Sequence, residues 1–220
     1  MSFSPEVLPN SWLWIGHFIY LFLLGFALWR MPWHHLFDSR DSHIFFASWV
    51  ILWLVWRQGG GITEGMEFHL LMVTSVTLMF GWQYALISVS MAQLGLSIEG
   101  KAEWMAYSVN VLCNGVIPIF ITYGLYRLKY ILMPRHFFIY IYIAAFFGGA
   151  LSMLASRLIG MGLLLLSGTY TLLSLGNEPL FIIVMLFPEA FLNGLVMTVF
   201  VAYRPEWVSS FNDDKYLKGK

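Results

Sequence analysis

The chain has 220 residues, of which 59% are hydrophobic and 11% charged, with a mean hydropathy of +0.72. A soluble domain of this size could not cover itself with so few polar residues, so the composition calls for a bilayer. Lys+Arg and Asp+Glu balance at 12 each, which leaves no basic field for nucleic acid or acidic lipid, and the 18% aromatic content suits belts at membrane interfaces.

The opening stretch Met1-Ser-Phe-Ser-Pro-Glu6 has no basic region, and the apolar run after it ends at Arg30 without a small-residue cleavage site, so no removable signal peptide is expected. A membrane-crossing helix takes about 20 apolar residues. Periodicity and apolar length predict spans at 11–31, 43–56, 67–80, 83–97, 104–125, 136–166 and 178–203. The expected fold is all-α: a single polytopic membrane bundle over 1–220 with about seven transmembrane helices, an external segment 1–10 and a cytoplasmic tail 206–220. The second to fourth spans are short, the sixth is long and contains Gly148-Gly149, and an eighth crossing near 157–175 is a further option.

Cations set the expected orientation. With the N-terminus outside, cytoplasmic segments hold Arg30 and Arg40, then Arg127, Lys129 and Arg135, then Arg204, Lys215, Lys218 and Lys220, whereas the outside keeps Arg57, Lys101 and Arg157. The loop Gly59–Gly65, the start of the third span and a strand-like Met1–Pro9 would then share the external side.

Polar groups at membrane depth must face protein, water or substrate. They are His17, His69, Gln83, Gln93, Asn110, Asn114, Glu189 and Asn193. Asn110 with Asn114, and Glu189 with Asn193, are four apart and share a helix face, as pocket groups or as interhelical hydrogen-bond partners. Glu189 follows Pro188 and would suit a first helical turn if the apolar residues before it form a separate segment. Cys113, the single cysteine, reads as a packed core thiol. His34, His35 and His136 read as interfacial. His17 and His69 could in principle clamp a haem iron, so a haem- or quinone-linked redox protein is the competing class, although no C-x-x-C-H motif is present. No Ser/His/Asp set, HExxH or phosphate loop marks an enzyme or an ATPase.

Several segments in order resemble a known family. Gly65-Met-Glu-Phe-His69-Leu-Leu and Phe80-Gly81-Trp82-Gln83-Tyr84-Ala85 resemble the HLLG and LGPWAA patterns of the CbiM/NikM family, the membrane substrate-capture components of energy-coupling-factor cobalt and nickel transporters. Gln93, Ile98-Glu-Gly100, Ser108-Val-Asn110-Val, Glu189-Ala190 and Tyr203-Arg204-Pro205 resemble further family motifs, so the likeness runs from Pro5 to Pro205.

The resemblance implies a seven-helix bundle whose external N-terminus reaches inward and binds a divalent metal through a square-planar nitrogen set, a geometry suited to Ni(II), Cu(II) or Co(II). His69 matches the family's HLLG ligand, and Met1 and Ser2 would supply N-terminal backbone donors. The family's histidine at position two is replaced by Ser2, and the glycine of HLLG by Met72, which a helix over 67–80 would put on the face of His69. Met72 and Met66 could offer thioethers to copper, and Glu64 and Glu67 oxygen ligands. Asn110 and Glu189 are expected to hold the bundle. The implied partners are a transmembrane coupling subunit and cytoplasmic ATP-binding subunits, with import into a bacterial cell across its cytoplasmic membrane; no prosthetic group is expected.

Overall fold

The computed structural model describes residues 2–33, 42–60 and 67–211. Seven helices are found among them: α1 (Asn10–Arg30), α2 (Ser42–Trp56), α3 (Val73–Phe80), α4 (Trp82–Ile98), α5 (Trp104–Leu132), α6 (Phe137–Leu166) and α7 (Glu178–Tyr203). Four of them, α1, α5, α6 and most of α7, are long and apolar enough to cross a membrane unaided. Their outward faces carry large exposed apolar side chains, such as Phe18, Phe22 and Trp29 on α1 and Ile183, Phe187 and Leu195 on α7. In water such faces would be a liability; in lipid they are the expected surface.

Successive helices run in alternating directions, so the bundle has two ends. One holds Ser2, Lys101 and the Arg57–Glu99 ion pair, in which Nε and Oε1 lie 2.6 Å apart. The other holds Arg30, Pro32 and Tyr84, whose hydroxyl donates to the Pro32 carbonyl at 2.9 Å. The N-terminus and the end of α7 therefore lie at opposite ends, as an odd number of crossings requires.

The third crossing departs from the expected helix over 67–80. Only Val73–Phe80, 8 residues, is helical, and 67–72 is not. Length explains the choice, because a continuous helix over 67–80 would rise about 21 Å against a hydrocarbon core of about 30 Å. A non-helical segment gains up to about 3.3 Å per residue, so this combination can reach from Glu67 at the Lys101 end to Phe80 at the Arg30 end. An antiparallel bridge between Gly60 and Phe68, with Phe68 N–H donating to the Gly60 carbonyl at 2.8 Å, fixes where the descent begins. Gly81, at φ 87°, turns the chain directly into α4.

Two long helices are locally unwound into π turns, at Leu112–Val116 in α5 and Tyr140–Phe147 in α6. α6 runs unbroken through Gly148-Gly149, and 167–177 consists of turns and irregular chain, so the optional eighth crossing near 157–175 does not form. Gly149 lets α6 approach α7 closely, since a Cβ there would lie 3.2 Å from the Glu189 carbonyl oxygen. The N-terminal segment is not a strand: it makes one 3-10 turn at Pro5–Val7 and inserts Phe3, Val7 and Leu8 into an apolar cluster with Leu13, Val109 and Leu164.

Candidate metal-capture site

Non-helical backbone at membrane depth exposes N–H and C=O groups that lipid cannot satisfy, so each must find a protein partner. Around 67–72 those partners come from other helices. Glu189 Oε2 accepts from Leu71 N–H at 2.7 Å and Oε1 from Met72 N–H at 2.8 Å. One turn further along α7, Asn193 Oδ1 accepts from Ser75 N–H at 2.8 Å and from the Ser75 hydroxyl at 2.7 Å. Asn193 Nδ2 in turn donates to Glu189 Oε1 at 2.8 Å. The i, i+4 pair on α7 thus supplies from outside the N-cap that Met72, at the cap position, cannot provide.

The carbonyls are met from the other side. Arg157 of α6, fully buried, donates from Nη2 to the His69 carbonyl at 2.9 Å and from Nη1 to Asn114 Oδ1 at 3.3 Å. Its guanidinium also lies over the Phe68 ring, 5.8 Å from the centroid. Trp56 Nε1 donates to the Leu71 carbonyl at 3.0 Å. The π turn in α5 includes Asn114, and such bulges re-aim side chains at functional positions.

His69 itself is buried, its ring tilted against Trp56 at a centroid distance of 5.2 Å. Its Nδ1 lies 3.1 Å from the Leu70 carbonyl oxygen. A carbonyl only accepts, so Nδ1 carries the proton in the neutral ring and Nε2 is the lone-pair nitrogen.

The N-terminal segment approaches the same wall. Phe3 N–H donates to Asn110 Oδ1 at 2.7 Å, and Asn110 Nδ2 donates back to the Phe3 carbonyl at 3.3 Å. Thr169 Oγ1 donates to the Val7 carbonyl at 2.9 Å. Ser2, just ahead of this anchor, lines a depression of about 200 Å³ with Trp56, Gly59 and Glu67, and a neighbouring one of about 350 Å³ with Glu6, Glu67, Lys101 and Glu103. A Cβ on Gly59 would stand 3.5 Å from His69 Cβ, so Trp56 and Gly59 adjoin both His69 and the depression that Ser2 lines.

Several expectations need correction. Met72 does not share a helix face with His69: it precedes α3, sits in the left-handed region at φ 54°, and packs half-buried against the cluster of Trp56, Leu71 and Val73. Glu189 is not in a first turn but in the middle of α7, with Pro188 inside the helix. Arg157, counted above among external cations, is buried within the bundle. Met1, Glu64, Met66, His34, His35 and Arg40 lie outside the described residues, and Glu67 is exposed. His17 stands on α1 with Nδ1 2.6 Å from the Ser108 hydroxyl. Among the described residues no group of three or more His, Cys, Asp and Glu side chains is placed to hold a metal ion.

Sequence reasoning missed Arg157 and Trp56. The signal for Arg157 was present: a lone cation far from both ends of a long apolar helix is by default an intramembrane functional residue. Nothing in the sequence marks Trp56 apart from the other tryptophans of its helix.

A helical bundle with apolar outer faces and a broken third crossing that carries a buried histidine defines a multi-pass membrane protein. Residues 3–207 match the family model described as the cobalt uptake substrate-specific transmembrane region, CbiM. The chain belongs to that family, and it is a metal-transport component and not an enzyme. Among solved structures it is similar to one described as a truncated transition metal transporter, at 19% identity and a TM-score of 0.72, covering 94% of this chain and 99% of that one. That likeness concerns the fold. None of the curated proteins matches the chain.

Proposed function

We propose that the protein captures a divalent transition-metal cation at the Lys101 end of the bundle, facing the outside of a bacterial cytoplasmic membrane, for import driven by partner subunits. Cobalt is the ion in the family description, and nickel shares the chemistry. The donors would be Nε2 of His69 together with backbone nitrogens of Met1 and Ser2, a nitrogen-rich set that suits square-planar Ni(II) or Co(II). The observation that carries this reading is the two-way hydrogen bond between Asn110 and Phe3, which holds the N-terminal segment inside the bundle with Ser2 at the wall that backs His69.

Energy has to come from elsewhere, since the chain has no phosphate-binding loop. A transmembrane coupling subunit and cytoplasmic ATP-binding subunits are the proposed partners, in keeping with a family named for the substrate-specific part of an uptake system. The test is titration of Ni(II) and Co(II) into the detergent-purified chain, and uptake of both ions in cells that also supply the coupling and ATP-binding subunits. The wild type should bind one ion, and His69→Ala should abolish binding and uptake while the protein stays folded. Unchanged affinity in His69→Ala would remove this residue from the site.

A further inference from the structure

We infer that Arg157 and Glu189 are positioning residues that fix His69 for metal binding by gripping the two sides of one short stretch of backbone. This rests on the role proposed for His69. Arg157 takes the carbonyl of His69 at 2.9 Å, and Glu189 takes the N–H groups of Leu71 and Met72 at 2.7 and 2.8 Å. The grips come from different helices, α6 and α7, and they fall within four consecutive residues. Neither side chain is exposed: Arg157 stands at 0% and Glu189 at 1% of full accessibility.

Simple bundle stability does not account for these two residues. Buried charged groups are weak evidence for stability, because apolar residues of similar volume often do as well or better in their place. What the pair does supply is a fixed course for a segment that has no intrahelical hydrogen bonds. Turning the His69 carbonyl toward α6 settles the direction of the adjoining Cα–Cβ bond, and the Leu70 carbonyl that orients the ring lies between the two grips. A ligand held to about 0.5 Å by such outer partners binds more tightly than one free to swing, and loss of an outer partner typically weakens metal binding about 10–100-fold.

The test uses the full chain in detergent with Ni(II) alone as probe, in the variants Arg157→Met, Arg157→Lys, Glu189→Gln and, as a packing control remote from the site, Met197→Ala. Met197 is fully buried in the cluster of Met79, Tyr140 and Val201. Three readouts are taken: Ni(II) affinity with the ligand-field spectrum, thermal stability, and amide hydrogen exchange over 69–72. Arg157→Met and Glu189→Gln should raise the Kd by about 10–100-fold, shift the Ni(II) band, keep the stoichiometry at saturation and speed exchange over 69–72. Arg157→Lys should recover part of the affinity, since an ammonium can reach one of the two carbonyl acceptors. Met197→Ala should lose stability without either change. Unaltered exchange over 69–72 in folded Arg157→Met and Glu189→Gln would overturn the inference, as would equal loss of affinity in Met197→Ala. If the wild type binds no Ni(II), the proposed function fails, and the exchange data still decide the grip.

Discussion

Replacing Asn110 by Leu should loosen the N-terminal segment without unfolding the bundle. Both bonds from Asn110 go to Phe3, whose side chain is 1% exposed, so the substitution leaves a buried N–H and a buried C=O without partners. Each such group costs about 1–3 kcal/mol; taking the 3.3 Å bond at the low end, the pair amounts to about 3 kcal/mol. Opposing release is the burial of Phe3, Val7 and Leu8, together worth about 6 kcal/mol. The segment therefore stays docked most of the time, while its undocked population rises roughly 150-fold. Amide exchange over Phe3–Leu8 should speed up in that proportion, with exchange in α5 and α6 unaffected. The metal stoichiometry should be unchanged at saturating Ni(II), with a weaker Kd. Wild-type exchange over Phe3–Leu8 in the folded variant would refute the reasoning, because it would mean that Asn110 does not hold the segment.

Met72 adopts a left-handed conformation that disfavours any residue with a Cβ, so Met72→Gly should be more stable than Met72→Ala by about 1 kcal/mol in detergent thermal unfolding, although both lose the same thioether packing. Ser2→His should tighten Ni(II) binding by about tenfold or more, roughly 1.4 kcal/mol by titration, and the absence of any gain would show that position two does not reach the ion. Reporters fused after Lys220 should be active in the cytoplasm and those inserted within Gly59–Gly65 outside, and the reverse pattern would invert the proposed orientation.

The helices were legible because apolar length and punctuation leave few choices in lipid. Phe137–Leu166 and Glu178–Tyr203 fall within a residue of the expected spans, and α5 only runs seven residues further, to Leu132, where Arg127 and Lys129 already lie near the Arg30 end. The third crossing was not legible. Phe68 to Phe80 is apolar enough for helix throughout, and no proline or glycine announces the break at Met72; the break is decided by the thickness to be crossed and by partners on α6 and α7 that no local pattern contains. For the same reason the pairing of Glu189 with Asn193 was visible as a spacing of four, whereas its target, the backbone of 71–75, was not. His69 could be picked out by chemistry and by likeness to a motif. Arg157 could have been picked out as well, as a cation inside a long apolar helix, but its target, the His69 carbonyl, could not.

α3 has an arrangement that bears on how the protein moves. The N–H groups of Leu71 and Met72, just before it, go to Glu189 and that of Ser75 in its first turn to Asn193, and its last carbonyls accept from residues that follow α7: Ser209 N–H donates to Met79 O at 2.9 Å, and Ser210 donates to Leu78 O from N–H at 3.2 Å and from its hydroxyl at 2.6 Å. One stretch of chain, from Glu189 to Ser210, therefore brackets α3 at both tips like the jaws of a calliper. An eight-residue helix so held cannot slide or tilt on its own; it travels with α7 or it loses its end bonds. Any rearrangement of the bundle must then take α3 and α7 as one rigid piece, with the bending left to Gly81, where α3 meets α4.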